Sequence, residues 1–254
     1  MILFHSDLDN TLIYSYKHDI GADKKCVEIY QDREVSFMTT ESMDILKRIQ
    51  SKIIFVPTTT RTIEQYKRIQ MDISNPNYAL VCNGGILLKN GSKDSDWYQE
   101  SLDLAAHAKS ELEKAIQILN QDKNRYFENR YIEQLFVFTK SSEPQKTIQT
   151  LRSKLDEKKV DIFHNGDKVY VLPKELNKGR SILRLKKKLS ADRIIAAGDS
   201  AFDIPMLKAS NIGFCPKGLI TEDIPNIFEY PSDVFTVEML RKIESLLLNR
   251  NPDI

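Results

Sequence analysis

The chain has 254 residues, of which 41% are hydrophobic and 29% are charged, a composition that is typical of a globular protein with a buried core. Lysine and arginine number 37 against 36 for aspartate and glutamate, giving a formal net charge of +1 at pH 7. This near balance argues against a nucleic acid or an anionic membrane as the main partner.

The N-terminus enters an apolar strand at Ile2-Leu3-Phe4, without the basic stretch and long apolar core of a secretion signal. No apolar run approaches the roughly 20 residues that a membrane-spanning helix needs. Cys26, Cys82 and Cys215 are far apart and form no CxxC or Cys/His pair, which argues against both a disulfide framework and a zinc site. We therefore expect a cytoplasmic protein.

The first third of the chain alternates strands and helices. Strands are predicted near 2–6, 53–57 and 78–82, and helices near 41–50 and 62–70, with Thr39 or Thr40 as the N-cap of the first helix. Such alternation is typical of a parallel sheet. Between the first strand and the first helix, the apolar segments 26–30 and 34–37 flank a polar turn, which predicts a β-hairpin flap.

The middle of the chain changes to an α+β pattern, and the last third returns to alternation. The predicted elements are a helix at about 102–120, strands near 126–130 and 133–139, a helix from a Ser142 capping box to about 157, strands 160–164 and 168–172, then helix 178–189, strand 193–197, helix 201–209, strand 211–214 and helix 236–248. We predict an α/β fold in which residues 1–85 and 173–254 form a Rossmann-like parallel sheet with helices on both faces. Residues 86–172 form an inserted α+β domain.

Polar clusters follow three of the predicted strands. Asp7-Leu8-Asp9-Asn10-Thr11 follows the first strand, Thr58-Thr59-Thr60-Arg61 follows strand 53–57, and the segment 198–203 follows strand 193–197. Lys178-Gly179 opens a helix between the second and third of these clusters. The carboxyl ends of parallel strands meet at one edge of a sheet, so we expect the clusters to converge on one crevice. Together they predict a phosphoryl-transfer site.

Two aspartates two residues apart suit a two-step hydrolysis. Asp7 is the predicted nucleophile, which would form a phospho-aspartyl intermediate. Asp9 is the predicted acid and base, which would protonate the leaving group and then activate water. His5, in the predicted buried strand, is expected to be a core residue with its hydrogen bonds satisfied.

The remaining motif residues predict a magnesium and phosphate site. Mg²⁺ prefers carboxylate oxygens together with water and substrate phosphate, which Asp7, Asp199 and the carbonyl of Asp9 would satisfy. Asp203 is expected to orient Lys178 or to bind the metal through water. The phosphate would be bound by the donors around it, namely the Thr59 hydroxyl, the backbone N–H groups near Leu8 and Thr60, and Lys178.

The four motifs resemble, in order and spacing, those of the haloacid dehalogenase superfamily. The insert lies between the threonine and lysine motifs and follows Asn83-Gly84-Gly85, which resembles the subgroup with a mixed α/β cap, including the sucrose-6-phosphate, mannosyl-3-phosphoglycerate and Cof-type phosphatases. The resemblance implies a magnesium-dependent phosphatase, with a cap domain, that acts on a sugar phosphate or a similar small metabolite. The superfamily often has glycine where Asn10 and Thr60 stand, so either Thr58 or Thr59 supplies the phosphate-binding hydroxyl.

Several substrate-side assignments have alternatives. Arg61 binds phosphate or simply starts its helix, and Asn83-Gly84-Gly85 faces the substrate or only forms a turn. In the insert, the polar residues that would either reach the substrate or stay solvated are Arg125, Arg130, His164, Asn165 and Lys168.

A phosphomutase and a non-catalytic regulatory protein are the alternative functions, although the intact Asp7 and Asp9 pair argues against the second. The sequence does not indicate an oligomeric state.

Overall fold

The computed structural model describes residues 1–248 and divides the chain into two compact units. The first unit contains Met1–Lys93 and the chain from Lys178 onward, and the second is the continuous segment Asp94–Asn177. Within the described residues, no helix combines the length and apolarity needed to cross a membrane. The three cysteines are free, as their spacing predicted.

The described elements follow one another in this order. The first unit begins with β1 (Ile2–Ser6), β2 (Tyr14–Ser15), β3 (Lys24–Tyr30), β4 (Arg33–Thr39), α1 (Thr40–Ile49), β5 (Ile54–Pro57), α2 (Ile63–Lys67), β6 (Tyr78–Val81), β7 (Ile86–Lys89) and β8 (Ser92–Lys93). The second unit contains α3 (Ser95–Ala106), α4 (Lys109–Asn120), β9 (Arg130–Ile132), β10 (Phe136–Lys140), α5 (Pro144–Arg152), β11 (Val160–Asn165) and β12 (Lys168–Pro173). The first unit then continues with α6 (Lys178–Leu189), β13 (Arg193–Ala197), α7 (Ile204–Ala209), β14 (Ile212–Pro216), β15 (Ile227–Tyr230) and α8 (Thr236–Leu248).

The first unit is built on a parallel sheet with the strand order β15-β14-β13-β1-β5. This arrangement confirms that the first and last thirds of the chain share one sheet. From β1 the chain crosses to β5 on one side, whereas from β13 it crosses to β14 on the other side. The direction of winding therefore reverses between β1 and β13, and ligands of open α/β sheets bind at such a switch point.

The core of the first unit lies between the sheet and the helices that contact it. Helix α1 begins after Thr39, whose side chain accepts a hydrogen bond from the Ser42 N–H at 3.2 Å. Its buried apolar residues recur on one face and join those of β1, β5 and α8 in one cluster. Leu3 and Phe4 of β1 are fully buried, as expected for a central strand covered on both faces.

Strand β6 departs from the predicted parallel sheet. After Val81 the backbone turns sharply through Cys82, Asn83 and Gly84, all with positive φ angles of 52°, 58° and 85°. Strand β6 therefore pairs antiparallel with β7, and a bridge between Leu80 and Thr58 joins it to the end of β5 in the parallel sheet. As a consequence, β7 and β8 belong to the first unit, whereas the sequence assigned them to the insert beginning at residue 86.

The second unit is an α+β arrangement, as predicted for the insert. Its antiparallel sheet has the order β11-β12-β10-β9, and residues of α4 and α5 share its buried apolar cluster. Three details of the prediction were wrong. The strand predicted near 126–130 lies later in the chain, at Arg130–Ile132. The single helix at 102–120 is two helices that break after Ala106, and α5 begins at Pro144 without a Ser142 cap. The Ser142 hydroxyl instead donates to the Asn124 carbonyl at 3.1 Å.

Candidate active site

The polar clusters predicted from the sequence lie at neighbouring strand ends. The Asp7 N–H, just past β1, donates to the Ala197 carbonyl at the end of β13 at 2.9 Å. The Thr58 N–H, just past β5, donates to the Ser6 carbonyl at 2.8 Å. These bonds bring the first, second and fourth motifs to one edge of the parallel sheet, at its switch point.

Lys178 connects the first and fourth motifs. Its Nζ donates to Asp7 Oδ1 and to Asp203 Oδ1, each at 2.6 Å, and the lysine side chain is only 1% exposed. Burial alone would lower the pKa of Lys178, but the carboxylates of Asp203 and Asp7 outweigh burial and raise it. The lysine is therefore a fixed ammonium group that orients one oxygen of each aspartate.

Asp203 organises the loop after β13. Its Oδ2 accepts the Ser200 hydroxyl at 2.7 Å and the backbone N–H groups of Ser200 and Asp199 at 3.1 and 3.2 Å. A Cβ at Gly198 would lie 2.2 Å from Asp203 Cβ, so this close approach requires glycine. Together with the Lys178 bond to Oδ1, these contacts hold both oxygens of the Asp203 carboxylate, and its role in orienting Lys178 or in binding a metal through water stays a prediction.

Asp7, Asp199 and Asp203 form a compact carboxylate cluster, with one oxygen of each lying within 4.8 Å of the others. Burial, followed by the charge of Asp203, raises the pKa of Asp199 to about 7, and burial raises the pKa of Asp7 well above its usual range. Asn10 Nδ2 and Thr11 Oγ1 reach the Asp199 carboxylate at 3.4 and 3.3 Å. Crowded hard oxygen ligands of this kind suit Mg²⁺, whose charge would offset their repulsion.

A cavity of about 390 Å³ opens beside this cluster and includes Asp199 and Asn10 in its lining. The lining also contains His18 and Lys217. Its volume lies in the range of small-molecule sites.

Asp9 lies outside the three-carboxylate cluster and pairs with Arg61. Arg61 Nε donates to Asp9 Oδ2 at 2.8 Å, and Nη2 donates to Asp9 Oδ1 at 2.7 Å. The guanidinium also bonds Glu28 of β3, through Nη1 and Nη2, at 2.9 Å each. Arg61 does not start α2, which is capped by Thr62, so that alternative was wrong. Phosphate binding by Arg61, whose guanidinium pairs with both carboxylates here, stays a prediction.

Glu28 was missed by the sequence reasoning. It is a buried carboxylate, 3% exposed, within the predicted flap. A usable signal was present, because the glutamate interrupts an otherwise apolar run, Cys26-Val27-Glu28-Ile29-Tyr30. Charged residues are rarely buried without a partner, so a glutamate in such a run predicts an ion pair.

The two candidate threonines differ in how their hydroxyls are used. Thr58 Oγ1 donates to the Val56 carbonyl at 3.1 Å and lies 2.9 Å from His5 Nδ1, so it is engaged inside the sheet. Thr59 Oγ1 accepts the Arg61 N–H at 3.2 Å, which leaves its hydrogen available to another acceptor. Geometry therefore favours Thr59 over Thr58 as a donor to a ligand.

The segment Asn83-Gly84-Gly85 supports the threonine loop from the neighbouring hairpin. The Asn83 N–H donates to the Thr59 carbonyl at 2.9 Å, and the Cys82 N–H donates to the Arg61 carbonyl at 2.8 Å. Both residues adopt left-handed backbone conformations, which asparagine tolerates better than most residues. The segment is thus more than a turn into the insert, and a direct role in substrate binding stays a prediction.

The candidate substrate residues of the insert belong to the second unit. The two ring nitrogens of His164 lie 2.7 Å from Gln145 Nε2 and 3.4 Å from the Gly166 carbonyl. Arg125 donates to the carbonyls of Leu119 and Phe127, a role that is structural within this unit. Substrate contact by these residues stays a prediction.

Comparison with solved structures shows where this fold recurs. The sucrose-phosphatase of Synechocystis sp. PCC6803 has a TM-score of 0.68 at 15% identity, covering 96% of this chain and 98% of its own. Trehalose-6-phosphate phosphatase from Aspergillus fumigatus has a TM-score of 0.55 at 16% identity, covering 95% and 93%. The IMP-nucleotidase of Plasmodium falciparum has a TM-score of 0.63 at 13% identity, covering 97% and 68%. At these identities the likeness is one of fold.

The sequence itself provides the family assignment. A search of curated proteins gave no match. The pattern of the haloacid dehalogenase-like hydrolases matches residues 91–217, which is half of the 254-residue chain. The matched region contains Lys178, Asp199 and Asp203, three of the residues gathered at the switch point. The chain therefore belongs to the haloacid dehalogenase-like hydrolase family, as its four motifs indicated.

Proposed function

We propose that this protein is a magnesium-dependent phosphomonoesterase that works through a phospho-aspartyl intermediate on Asp7. The observation that carries the proposal is the Lys178 ammonium, held at 2.6 Å from both Asp7 and Asp203 next to Asp199. Phosphoryl transfer needs a fixed nucleophile and fixed positive charge around the phosphate oxygens. This arrangement supports both requirements.

Asp7 is the proposed nucleophile. Lys178 fixes its Oδ1, so the carboxylate is held at the carboxyl end of β1 in a single orientation. Attack by a carboxylate oxygen on phosphorus releases the alcohol and leaves an acyl phosphate, which water then cleaves to inorganic phosphate and the free aspartate. Asp9 is the proposed acid in the first half of this reaction and the base in the second.

Asp7 and Asp199 are the proposed direct ligands of Mg²⁺, joined by the carbonyl of Asp9. Asp203 would orient Lys178 and the loop that carries Asp199, since it accepts hydrogen bonds from both, or would bind the metal through water. When bound, the metal would supply positive charge to the phosphate oxygens. The phosphate would also receive donors from the Thr59 hydroxyl, the Thr60 backbone and Lys178.

A sugar phosphate or a similar small phosphorylated metabolite is the proposed substrate class. The cavity beside Asp199 is large enough for such a molecule. Two of the similar solved structures are sugar phosphatases, and a third is an IMP-nucleotidase. A substrate panel should therefore include nucleoside monophosphates beside sugar phosphates. The role of residues 86–172 as a cap domain that selects the substrate stays a prediction.

Hydrolysis of p-nitrophenyl phosphate, with and without Mg²⁺, tests the proposal. We expect metal-dependent turnover by the wild type and a loss of at least about 1,000-fold in Asp7→Asn, because the amide cannot attack phosphorus. Asp72→Asn is the matched control, since Asp72 is an exposed aspartate that pairs with Lys47 on the surface. It should retain full activity.

Two results would contradict this function. Equal rates for wild type and Asp7→Asn would remove the assigned nucleophile, and absence of turnover on the whole panel would favour a non-catalytic protein. Transfer of the phosphoryl group to a second sugar hydroxyl, detected by product analysis with a bisphosphorylated activator, would identify a phosphomutase instead.

A further inference from the structure

Glu28 is a buried carboxylate that the proposed reaction does not use. It lies on β3 in the flap, distant in sequence from all four motifs, and is 3% exposed. A buried carboxylate is costly unless it is paired and hydrogen-bonded. The contacts that stabilise Glu28 therefore indicate what it does.

Arg61 links Glu28 to Asp9. Both guanidinium edges are occupied, one by the two oxygens of Asp9 and the other by the two oxygens of Glu28. A planar guanidinium held by two bidentate carboxylates has one orientation, because rotation would break several charge-assisted bonds at once. The Asp9 side chain is 49% exposed, and its two hydrogen bonds with Arg61 restrain both carboxylate oxygens.

Glu28 is itself held firmly. The Ser36 hydroxyl on β4 donates to its Oε2 at 2.7 Å, and Arg68 Nε donates to its Oε1 at 3.0 Å. The backbone of β3 is joined to the segment after α2 by a bridge between Glu28 and Ile69. Burial would raise the pKa of Glu28, but the hydrogen bonds and charge of Arg61 outweigh it and lower that pKa, so the residue is ionised.

We propose that Glu28 is a positioning residue, which acts through Arg61 to hold the Asp9 carboxylate in the orientation needed to protonate the leaving group. The flap would thereby take part in the reaction without touching the substrate. This inference rests on the proposed function, and specifically on Asp9 as the acid. It predicts that loss of Glu28 lowers kcat/KM most for substrates whose leaving group must be protonated.

Two substrates separate positioning from general damage. A p-nitrophenolate leaves without help from an acid, whereas the alkoxide released from glycerol phosphate does not. We therefore compare kcat/KM, which reports the steps up to departure of the leaving group. Glu28→Gln should lower kcat/KM for glycerol phosphate at least about tenfold, within the range of general acid catalysis, and for p-nitrophenyl phosphate less than about threefold.

A control, a double variant and an alternative to Glu28→Gln locate the effect. Glu244→Gln is the matched control, because Glu244 on α8 forms a similar two-bond pair with Arg48 on α1, outside the four motifs, and the substitution should leave kcat/KM for both substrates unchanged. If Glu28 acts through Arg61, Glu28→Gln combined with Arg61→Gln should show the same ratio of the two substrates as Arg61→Gln alone. Should Glu28→Gln fail to fold, Ser36→Ala, which removes only one restraint on Glu28, should show the same selective loss.

The outcomes distinguish this inference from the proposed function. Equal losses on both substrates, or no loss on either, would overturn the positioning role while leaving a phosphatase with Asp7 as its nucleophile. An additive effect in the double variant would show that Glu28 does not act through Arg61, and would overturn the inference as well. A wild type without metal-dependent turnover would instead overturn the function, and the inference with it.

Discussion

His5 is a titratable side chain inside β1, and its single hydrogen bond determines its tautomer. Thr58 donates its hydroxyl hydrogen to the Val56 carbonyl, so His5 Nδ1, 2.9 Å from Thr58 Oγ1, must be the donor. The unprotonated Nε2 is buried and has no hydrogen-bond partner within residues 1–248. The expectation of a satisfied core histidine was therefore half right. Burial lowers the pKa of His5 to about 3.

This buried neutral histidine should make stability depend on pH. The unfolded chain binds a proton at His5 below about pH 6.5, whereas the native state does not until about pH 3, so stability is lost as the pH falls through this window. We expect wild type to lose more free energy of unfolding between pH 7 and pH 5 than His5→Asn, whose amide can still donate to Thr58. Urea denaturation at both pH values measures the difference.

Wild type and His5→Asn have the same carboxylates, so the contributions of the carboxylates to the pH dependence of stability cancel when the two are compared. Asp199, with its raised pKa, contributes in the opposite sense, because its ionised form is disfavoured in the native state. Equal losses for wild type and His5→Asn would show that His5 does not resist protonation.

At the residue scale, the sequence predicted side chains that carry chemistry and missed those that support them. Asp7, Lys178 and Asp203 were recognisable because each stands in a motif at a strand end or helix start. The ion pair between Arg61 and Glu28 was not recognisable from the sequence. It depends on how the flap folds back, and nothing in the local sequence identifies Arg61 as the partner of Glu28.

Helices α6 and α7 approach closely at Gly179, directly after Lys178. A Cβ at this position would lie 2.3 Å from the Pro205 carbonyl oxygen. Since the neighbour is backbone, a methyl group cannot be accommodated by a side-chain rotation. The position of Lys178 therefore depends on a glycine next to it.

Gly179→Ala should both destabilise the protein and displace the lysine. Overpacking typically costs about 1–3 kcal/mol, and we expect the upper part of this range or more, together with a large fall in phosphatase activity. Leu183→Ala on the same helix, an exposed position, is the control and should have little effect on either property. Urea denaturation and p-nitrophenyl phosphate hydrolysis measure the two effects, and a Gly179→Ala variant with wild-type stability would contradict the packing argument.

Elements with complete local signals were predicted to the residue, and those without them were not. Helix α6, strand β13 and helix α8 match the predicted limits, because strong apolar periodicity coincides with polar ends. The break between α3 and α4 contains no glycine or proline, so the sequence offered no stop signal. Strand β15 is a short edge strand after Asn226, with no fully buried residue, and its pattern was too weak to predict.

Within residues 1–248, each unit contains an apolar cluster of its own. The carboxylate cluster belongs entirely to the first unit. Multidomain proteins often unfold in more than one transition, and a ligand stabilises the unit that binds it. We therefore expect two calorimetric transitions, of which Mg²⁺ raises only one.

Leu151→Ala tests this independence, because Leu151 is fully buried in the core of the second unit. The substitution should cost about 2–5 kcal/mol in the transition that does not respond to Mg²⁺. Leu46→Ala, at an equally buried position of the first unit, is the matched variant and should lower the transition that Mg²⁺ raises. Differential scanning calorimetry with and without Mg²⁺ distinguishes them, and loss of the Mg²⁺ response in Leu151→Ala would contradict the assignment.

The second unit interrupts the sequence of the parallel sheet, and this affects the order in which the protein folds during synthesis on the ribosome. Strand β1 has two neighbours in the sheet, and whereas β5 follows within the first unit, β13 is synthesised only after the whole of Asp94–Asn177. The segment Asp94–Asn177 is continuous and carries its own core, so we expect it to fold while one edge of β1 still lacks its partner β13. The apolar Ile2-Leu3-Phe4 strand would then be the part of the nascent chain most in need of chaperone protection.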